Sequence, residues 1–170
     1  MSDAPRDSFD GDSIVIRVAE PRDHPTIREL FRHGLLEGQV ADNDTGADIE
    51  NLEEGYFSDA LVGGFWVAEE DGAIVGMIGV QQTGDDSAEV RRLRVRESFR
   101  RRGIGTTLIE NAIAFCRDYG FLKVSLDVRI EREPAISLFR KFGFEPGRQR
   151  ELDGRKTIDF YLDLYRDVRE

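Results

Sequence analysis

Alternation of apolar and polar positions divides the chain into short strands and longer helices. Ile14-Val15-Ile16-Arg17-Val18 is a β-branched run closing at Pro21 and reads as a first strand. After it, Asp23 is placed to cap a helix whose Ile27, Leu30, Phe31 and Leu35 follow the helical period, with Gly38 as its stop. A weaker helical spacing covers Ile49 to Phe57. Phe65-Trp66-Val67-Ala68 and Ala73 to Val80 are apolar runs joined across Glu69-Glu70-Asp71-Gly72, whose Asp-Gly step signals a hairpin.

Ala88 to Val95 continues as a fourth strand, and strict alternation places Glu89, Arg91, Leu93 and Val95 on one face. From Ile104 a helix runs to Tyr119, with Leu108, Ile109, Ala112, Ile113 and Cys116 on one stripe and Gly120 as its C-terminal glycine. Val124 to Val128 follows as a strand. Strand, helix and strand then make a crossover long enough for a parallel pair. Pro134 opens another helix carrying Ala135, Ile136, Leu138, Phe139 and Phe142, closed by Gly143. Phe144 to Glu151 and Thr157 to Leu164 form a final hairpin around Asp153-Gly154.

Length changes the picture only by limiting it. The 170 residues suit one domain, expected over 14–170 behind a polar N-terminal tail, 1–13. Charge says more: 24 Lys and Arg against 34 Asp and Glu leave a formal −10, which disfavours nucleic acid and anionic membranes as partners. No apolar run reaches membrane-spanning length, and a single cysteine, Cys116, fits a reducing, cytoplasmic setting without a metal site.

Against that acidic background, seven arginines and one acid, Glu97, lie between Arg91 and Arg102. The run enters Gly103-Ile104-Gly105 at a helix start, where glycines let backbone N–H groups approach an anion and the helix dipole favours negative charge. A phosphate cradle is one reading, and a tight turn beneath solvated arginines is the other. Leu108 stands where a dinucleotide-binding motif needs its third glycine, and no Gly-Lys-Ser/Thr of a Walker loop is present.

Three segments together resemble a known family: Glu89-Val90-Arg91-Arg92-Leu93-Arg94-Val95, Arg100-x-x-Gly103-x-Gly105, and Ala135-Ile136-x-Leu138-Phe139-x-x-Phe142-Gly143-Phe144. Their order and spacing are similar to the core motifs of the GNAT N-acetyltransferase superfamily, over about residues 14–165. The resemblance implies an α/β fold, the GNAT acyl-CoA N-acyltransferase fold. In it a central mixed sheet of about seven strands splays between strands 4 and 5, flanked by about four helices.

It further implies acetyl-CoA as cosubstrate and an amine as acceptor, in an acetyl-CoA-dependent N-acetyltransferase without a metal. Homodimers are common in the family. By similarity, Leu93, Arg94 and Val95 would meet the pantetheine and thioester end, and Arg101, Arg102, Gly103, Ile104, Gly105 and Thr106 the pyrophosphate. Arg96, Arg100 and Arg102 are the basic side chains nearest that loop, and Arg132 stands where an asparagine contacting CoA is common.

Glu89 occupies the position of a family general base; the alternative is a strand glutamate paired with Arg91. The Val95 N–H is the oxyanion donor by resemblance. The usual tyrosine acid is replaced by Phe139, so either Tyr161 or Tyr165 supplies a proton or the CoA thiolate leaves unassisted. Two other functions compete: a CoA-binding module that has lost transfer, and an arginine-stripe nucleic-acid binder.

Of the remaining polar and aromatic residues, His24 and His33 read as helix-surface histidines and Phe65 and Trp66 as sheet packing. The acidic segment from Asp42 to Glu54 reads mainly as a solvated loop, with a cation-attracting acceptor lip as the alternative.

Overall fold

Seven strands form one sheet in the order β1-β2-β3-β4-β5-β7-β6. The computed structural model describes residues 13–33, 45–100, 102–152 and 154–165. The strands are β1 (Ile14–Val18), β2 (Gly63–Glu70), β3 (Ala73–Gln82), β4 (Ser87–Val95), β5 (Lys123–Arg129), β6 (Glu145–Leu152) and β7 (Arg155–Asp163). The helices are α1 (His24–His33), α2 (Ala47–Glu50), α3 (Leu52–Tyr56), α4 (Ile104–Asp118) and α5 (Glu133–Lys141). Every pairing is antiparallel except β4 with β5.

Alternation along the strands supplies two apolar layers. On one face Trp66, Val80, Val90, Val124, Leu126 and Phe160 pack against Leu108, Ile109, Ala112 and Cys116 of α4 and Phe139 of α5. Opposite, Phe65, Val67 and Met77 pack against Ile27 and Leu30 of α1 and Ile49, Leu52 and Tyr56 of α2 and α3. The sheet is therefore covered on both sides over β2 to β4. Among the described residues no helix is long and apolar enough to cross a membrane.

Local signals hold where the backbone alone decides. Asp71 and Gly72 both take positive φ, 51° and 84°, as the hairpin step requires. Gly120 and Gly143, at φ 82° and 96°, end α4 and α5 in the left-handed conformation. Asp23 differs from its expected role. It lies inside a short helical turn, Pro21–Asp23, capped by Glu20, and its carboxylate accepts from the Glu20 N–H (2.7 Å) and from Arg17 (2.7 and 2.9 Å). The turn adds a step before α1, so the cap moves three residues upstream. Gly38 lies outside the described residues.

The helical spacing expected from Ile49 to Phe57 is two short helices instead of one. Asn51 breaks it at φ −136° and caps α3, its side-chain oxygen accepting from the Glu54 N–H at 3.1 Å.

The larger departure is in β4. Gly79 pairs with Arg91 and Met77 with Arg94, so Arg92 and Leu93 together face Ile78 in a bulge. Arg92 sits at φ +61°, and past it the alternation is reset. Glu89 and Arg91 stay on the α1 side, whereas Leu93 and Val95 pack toward the α4 layer. The shared face expected for all four is thus broken by one inserted residue, because strand alternation has a period of two.

Candidate active site

β4 and β5 pair over three rungs, Ser87 with Lys123, Ala88 with Val124 and Glu89 with Ser125. Beyond Glu89 the two strands part. β4 continues with β3 and β5 with β7, so the sheet opens from inside. A cavity of about 100 Å³ fills the opening, walled by Val90 to Arg94 of β4, Leu126 to Val128 of β5, and Arg132, Ala135 and Phe139 beside and on α5.

Backbone polarity aims into this gap. The Arg96 N–H donates to the Val75 carbonyl at 2.8 Å, so on an antiparallel ladder Val95 turns its own N–H and C=O away from β3. Its carbonyl accepts accordingly from Arg100 Nε at 3.3 Å, and the Leu93 carbonyl from Arg94 Nη1 at 3.0 Å. Leu93, Arg94 and Val95 thus line one side of the opening.

At its end α4 begins. Gly103 is the N-cap at φ 82°, without a side-chain cap bond, and the first turn holds no acid. Nothing lies within 4 Å of a Cβ placed on Gly103, and its left-handed φ is what the turn into α4 requires. A helix start of this kind favours an anion by its dipole and its unpaired donors. Arg100 stands beside it, while Arg102 is held by Glu70 (2.6 and 3.1 Å) and lies 5.2 Å over the Phe99 ring. Arg101 falls outside the described residues.

On the α1 side of the gap the charge is negative. Glu89 lies at the last parallel rung, its Oε1 3.8 Å from Arg91 Nε. Burial raises its pKa above the ordinary carboxylate value, with Arg91 and Arg92 opposing. Next to it, Asp127 of β5 sits directly opposite Asp159 of β7. Burial and the facing Asp159 carboxylate raise Asp127, while hydrogen bonds from Asp127 and Arg150 overcome burial and lower Asp159. The pair therefore keeps a proton on Asp127 more readily than on Asp159. Among the described residues no three His, Cys, Asp or Glu side chains group as metal ligands.

Several expected residues lie elsewhere. Tyr161 of β7 pairs with Ser125 and Glu145 under Lys123 Nζ, 5.3 Å from its ring, beside the closed end of the gap and not among the cavity walls. Tyr161→Phe is expected to change kcat by less than about threefold, as for a side chain away from the reacting atoms; a loss near a hundredfold in steady-state turnover would restore it as an acid. Tyr165 lies past β7, largely exposed.

Phe139 packs edge-on against Phe144 at 5.7 Å. Phe65 and Trp66 are buried in the two core layers, and Cys116 is buried, its thiol pushed up to about 12. Of the acidic segment, Asp48 is bound to Arg92 and Glu50 pairs with Arg28 at 3.4 Å. Asp42 and Asp44, like the side chain of His33, are outside the described residues.

The arginine run does not present one basic stripe. Arg91 meets Glu89 and Gln81, Arg92 meets Asp48, Arg96 meets Glu29, and Arg102 meets Glu70. Arg91, Arg92 and Arg96 find their partners on the α1 side of β4, and Arg102, in the turn leading to α4, finds its own on β2.

Residues 27–144 match the family described as Acetyltransferase (GNAT) family. The chain belongs to this family. A relative in Bacillus subtilis, a putative [ribosomal protein bS18]-alanine N-acetyltransferase, is 32% identical over 49% of this chain and 54% of its own. N-acetyltransferase 8 of Rattus norvegicus is 31% identical over 69% of this chain and 50% of its own. The chain thus spans about half the length of the curated relatives it matches.

The GNAT fold is shared with solved structures. An acetyltransferase from Streptococcus agalactiae superposes with a TM-score of 0.78 at 21% identity, over 89% of this chain and 99% of that one. An acetyltransferase from Salmonella typhimurium, solved with its cofactor acetyl-CoA, has a TM-score of 0.75 at 21% identity, over 89% and 94%.

Sequence reasoning missed Asp127, Asp159 and the Asp48–Arg92 pair. Asp127 alternates with Leu126 and Val128 and so reads as solvent-facing; only the β5–β7 register shows what it faces.

Proposed function

We propose that this GNAT domain is an N-acetyltransferase that moves an acetyl group from acetyl-CoA to a primary amine of a small molecule, peptide or protein. The observation that carries it is the cavity where β4 leaves β5, walled on the β4 side by residues up to Arg94, with the outward-turned Val95 N–H next along the strand. One end suits a thioester and the other a pyrophosphate.

Acetyl-CoA supplies an acetyl carbonyl activated by its bond to sulfur. Glu89, made more basic by burial, accepts the proton that the attacking amine loses. The Val95 N–H donates to the carbonyl oxygen as it gains negative charge. Ile104, Gly105 and Thr106 hold the pyrophosphate through backbone donors, with Arg100 beside them. Phe139 offers the leaving sulfur no proton, and a thiol ionising near about 8.5 departs as thiolate. Glu89, at the edge of the gap, is the carboxylate nearest an incoming amine on the α1 side.

The name of the Bacillus subtilis relative brings a protein N-terminal amine into the first acceptors to test. A cytoplasmic setting belongs to the same reading. Acetyl-CoA at a hundred times its Kd is expected to raise stability by about 2.7 kcal/mol in a thermal-shift titration. A panel of amines and peptide N-termini is then assayed for thiol release. Without stabilisation by acetyl-CoA the cofactor assignment fails. With stabilisation but no amine raising turnover above hydrolysis, the chain is a CoA-binding module.

A further inference from the structure

Among the described residues two charged side chains are buried, Asp23 and Arg92. Asp23 is accounted for by Arg17 and the turn it closes. Arg92 is not accounted for by the reaction. It is 9% exposed and holds φ +61° at the β4 bulge, a left-handed conformation disfavoured for any residue with a Cβ.

What offsets that cost reaches across from the helical layer. Arg92 Nε donates to Asp48 Oδ2 at 3.0 Å and Nη2 to Oδ1 at 2.6 Å, a two-pronged pair. Its guanidinium lies 4.8 Å over the Phe31 ring of α1. Asp48 also accepts from the Tyr56 hydroxyl of α3. Burial by itself would raise Asp48, but the bonds from Arg92 and Tyr56 hold it at about 2, so the pair is ionic at every working pH.

The residue so restrained is the one that resets the strand. Arg92 precedes Leu93, which walls the cavity, and Val95, whose backbone N–H turns away from β3. We propose that Asp48 and Arg92 are positioning residues: their buried ion pair holds the left-handed bulge that aims the Leu93–Val95 backbone at the acetyl carbonyl. In kinetic terms this rests on the acetyl-transfer reading. The pair also ties the α2–α3 segment, on the acceptor side of the sheet, to the backbone that handles the acetyl group.

The test uses the full chain, with Asp48→Asn, Arg92→Gln, their double variant and Tyr56→Phe. Asp48→Asn is expected to lower kcat about tenfold, since small misplacements of reacting groups are costly, while the Kd for acetyl-CoA changes less than about threefold. Effects through one pair do not add, so the double variant should be no slower than the slower single.

Hydrogen exchange provides a readout independent of turnover. The Arg94 and Arg96 amides, which face β3 on either side of Val95, should exchange about tenfold faster in Asp48→Asn, with α4 amides unchanged. If Asp48→Asn does not fold, Tyr56→Phe removes one bond to Asp48 and should shift the same amides and kcat in the same direction. Unaltered exchange at Arg94 and Arg96 in the folded variants overturns the inference, as does a loss of kcat matched by an equal loss of acetyl-CoA affinity. Faster exchange in a protein that acetylates no amine would sink the transferase reading and leave the bulge restraint standing.

Discussion

Glu89→Gln is expected to lower kcat/KM for the amine by about a hundredfold or more near pH 8, the range in which a positioned general base acts. In free energy this is about 2.7 kcal/mol of lost transition-state stabilisation. Glu89 lies on the last rung that β4 shares with β5, so it stands at the edge of the cavity and not inside the closed part of the sheet. Its folded-state pKa is raised by burial, with Arg91 and Arg92 limiting the rise.

The sign of the pH dependence follows. A base must be unprotonated, so the native rate climbs as pH rises through the elevated Glu89 pKa and falls as pH drops below it. Gln removes that limb and leaves only the one set by the amine's own ionisation. The two enzymes therefore differ most above the Glu89 pKa and converge in acid. Glutamine is nearly isosteric, so acetyl-CoA should stabilise the variant as it does the native chain. A pH–rate profile retaining the acidic limb, with a loss under about threefold, would leave Glu89 as a strand glutamate paired with Arg91.

Gly105→Asp is expected to weaken acetyl-CoA binding about a hundredfold or more while leaving the melting temperature unchanged or slightly higher. A Cβ at Gly105 would meet Leu138 at 3.5 Å and Val95 at 3.9 Å, ordinary contacts that the fold tolerates. Gly105 is the second residue of α4, whose first turn carries no acid. A carboxylate there gains about 0.3–1 kcal/mol from the helix dipole in the free protein.

The same carboxylate opposes a pyrophosphate at that terminus. Two unit charges 4 Å apart repel by about 4 kcal/mol at an effective dielectric of 20, well above the dipole gain even after screening by salt. Stability and affinity should thus move in opposite directions. Isothermal titration and a thermal melt read them separately. Native-like affinity in this variant would place the pyrophosphate away from α4 and undo the cofactor assignment. Gly105→Ala, with the same Cβ and no charge, isolates the steric part.

Much of the fold was legible because local rules set it. The Asp71-Gly72 turn, the α4 stripe from Leu108 to Cys116, and the glycines closing α4 and α5 stand where spacing and backbone freedom place them. So does the start of α4 behind Gly103, since the glycine's left-handed turn acts within a few residues. The family resemblance supplied the mixed sheet of about seven strands and the parting of strands 4 and 5, both present.

Simple periodicity failed where a competing contact outweighed it. Asn51 splits the expected helix because it caps the following turn, a competition that helical spacing does not register. The face expected to carry Glu89, Arg91, Leu93 and Val95 breaks at Arg92, where an arginine takes the conformation usually left to glycine. Nothing in the residues around Arg92 signals that, because its restraint comes from Asp48, 44 positions away.

The sequence by itself determined most of the elements and their order, because propensity, alternation and glycine conformation act over a few neighbouring residues. Only the tertiary structure decided which side of β4 each arginine takes and which carboxylates stand face to face at the gap. It also decided that Arg92 is a buried partner of Asp48 and not part of a basic surface. These outcomes depend on strand register and on side chains meeting across layers, and a charge is assigned to a function only once its partner is known.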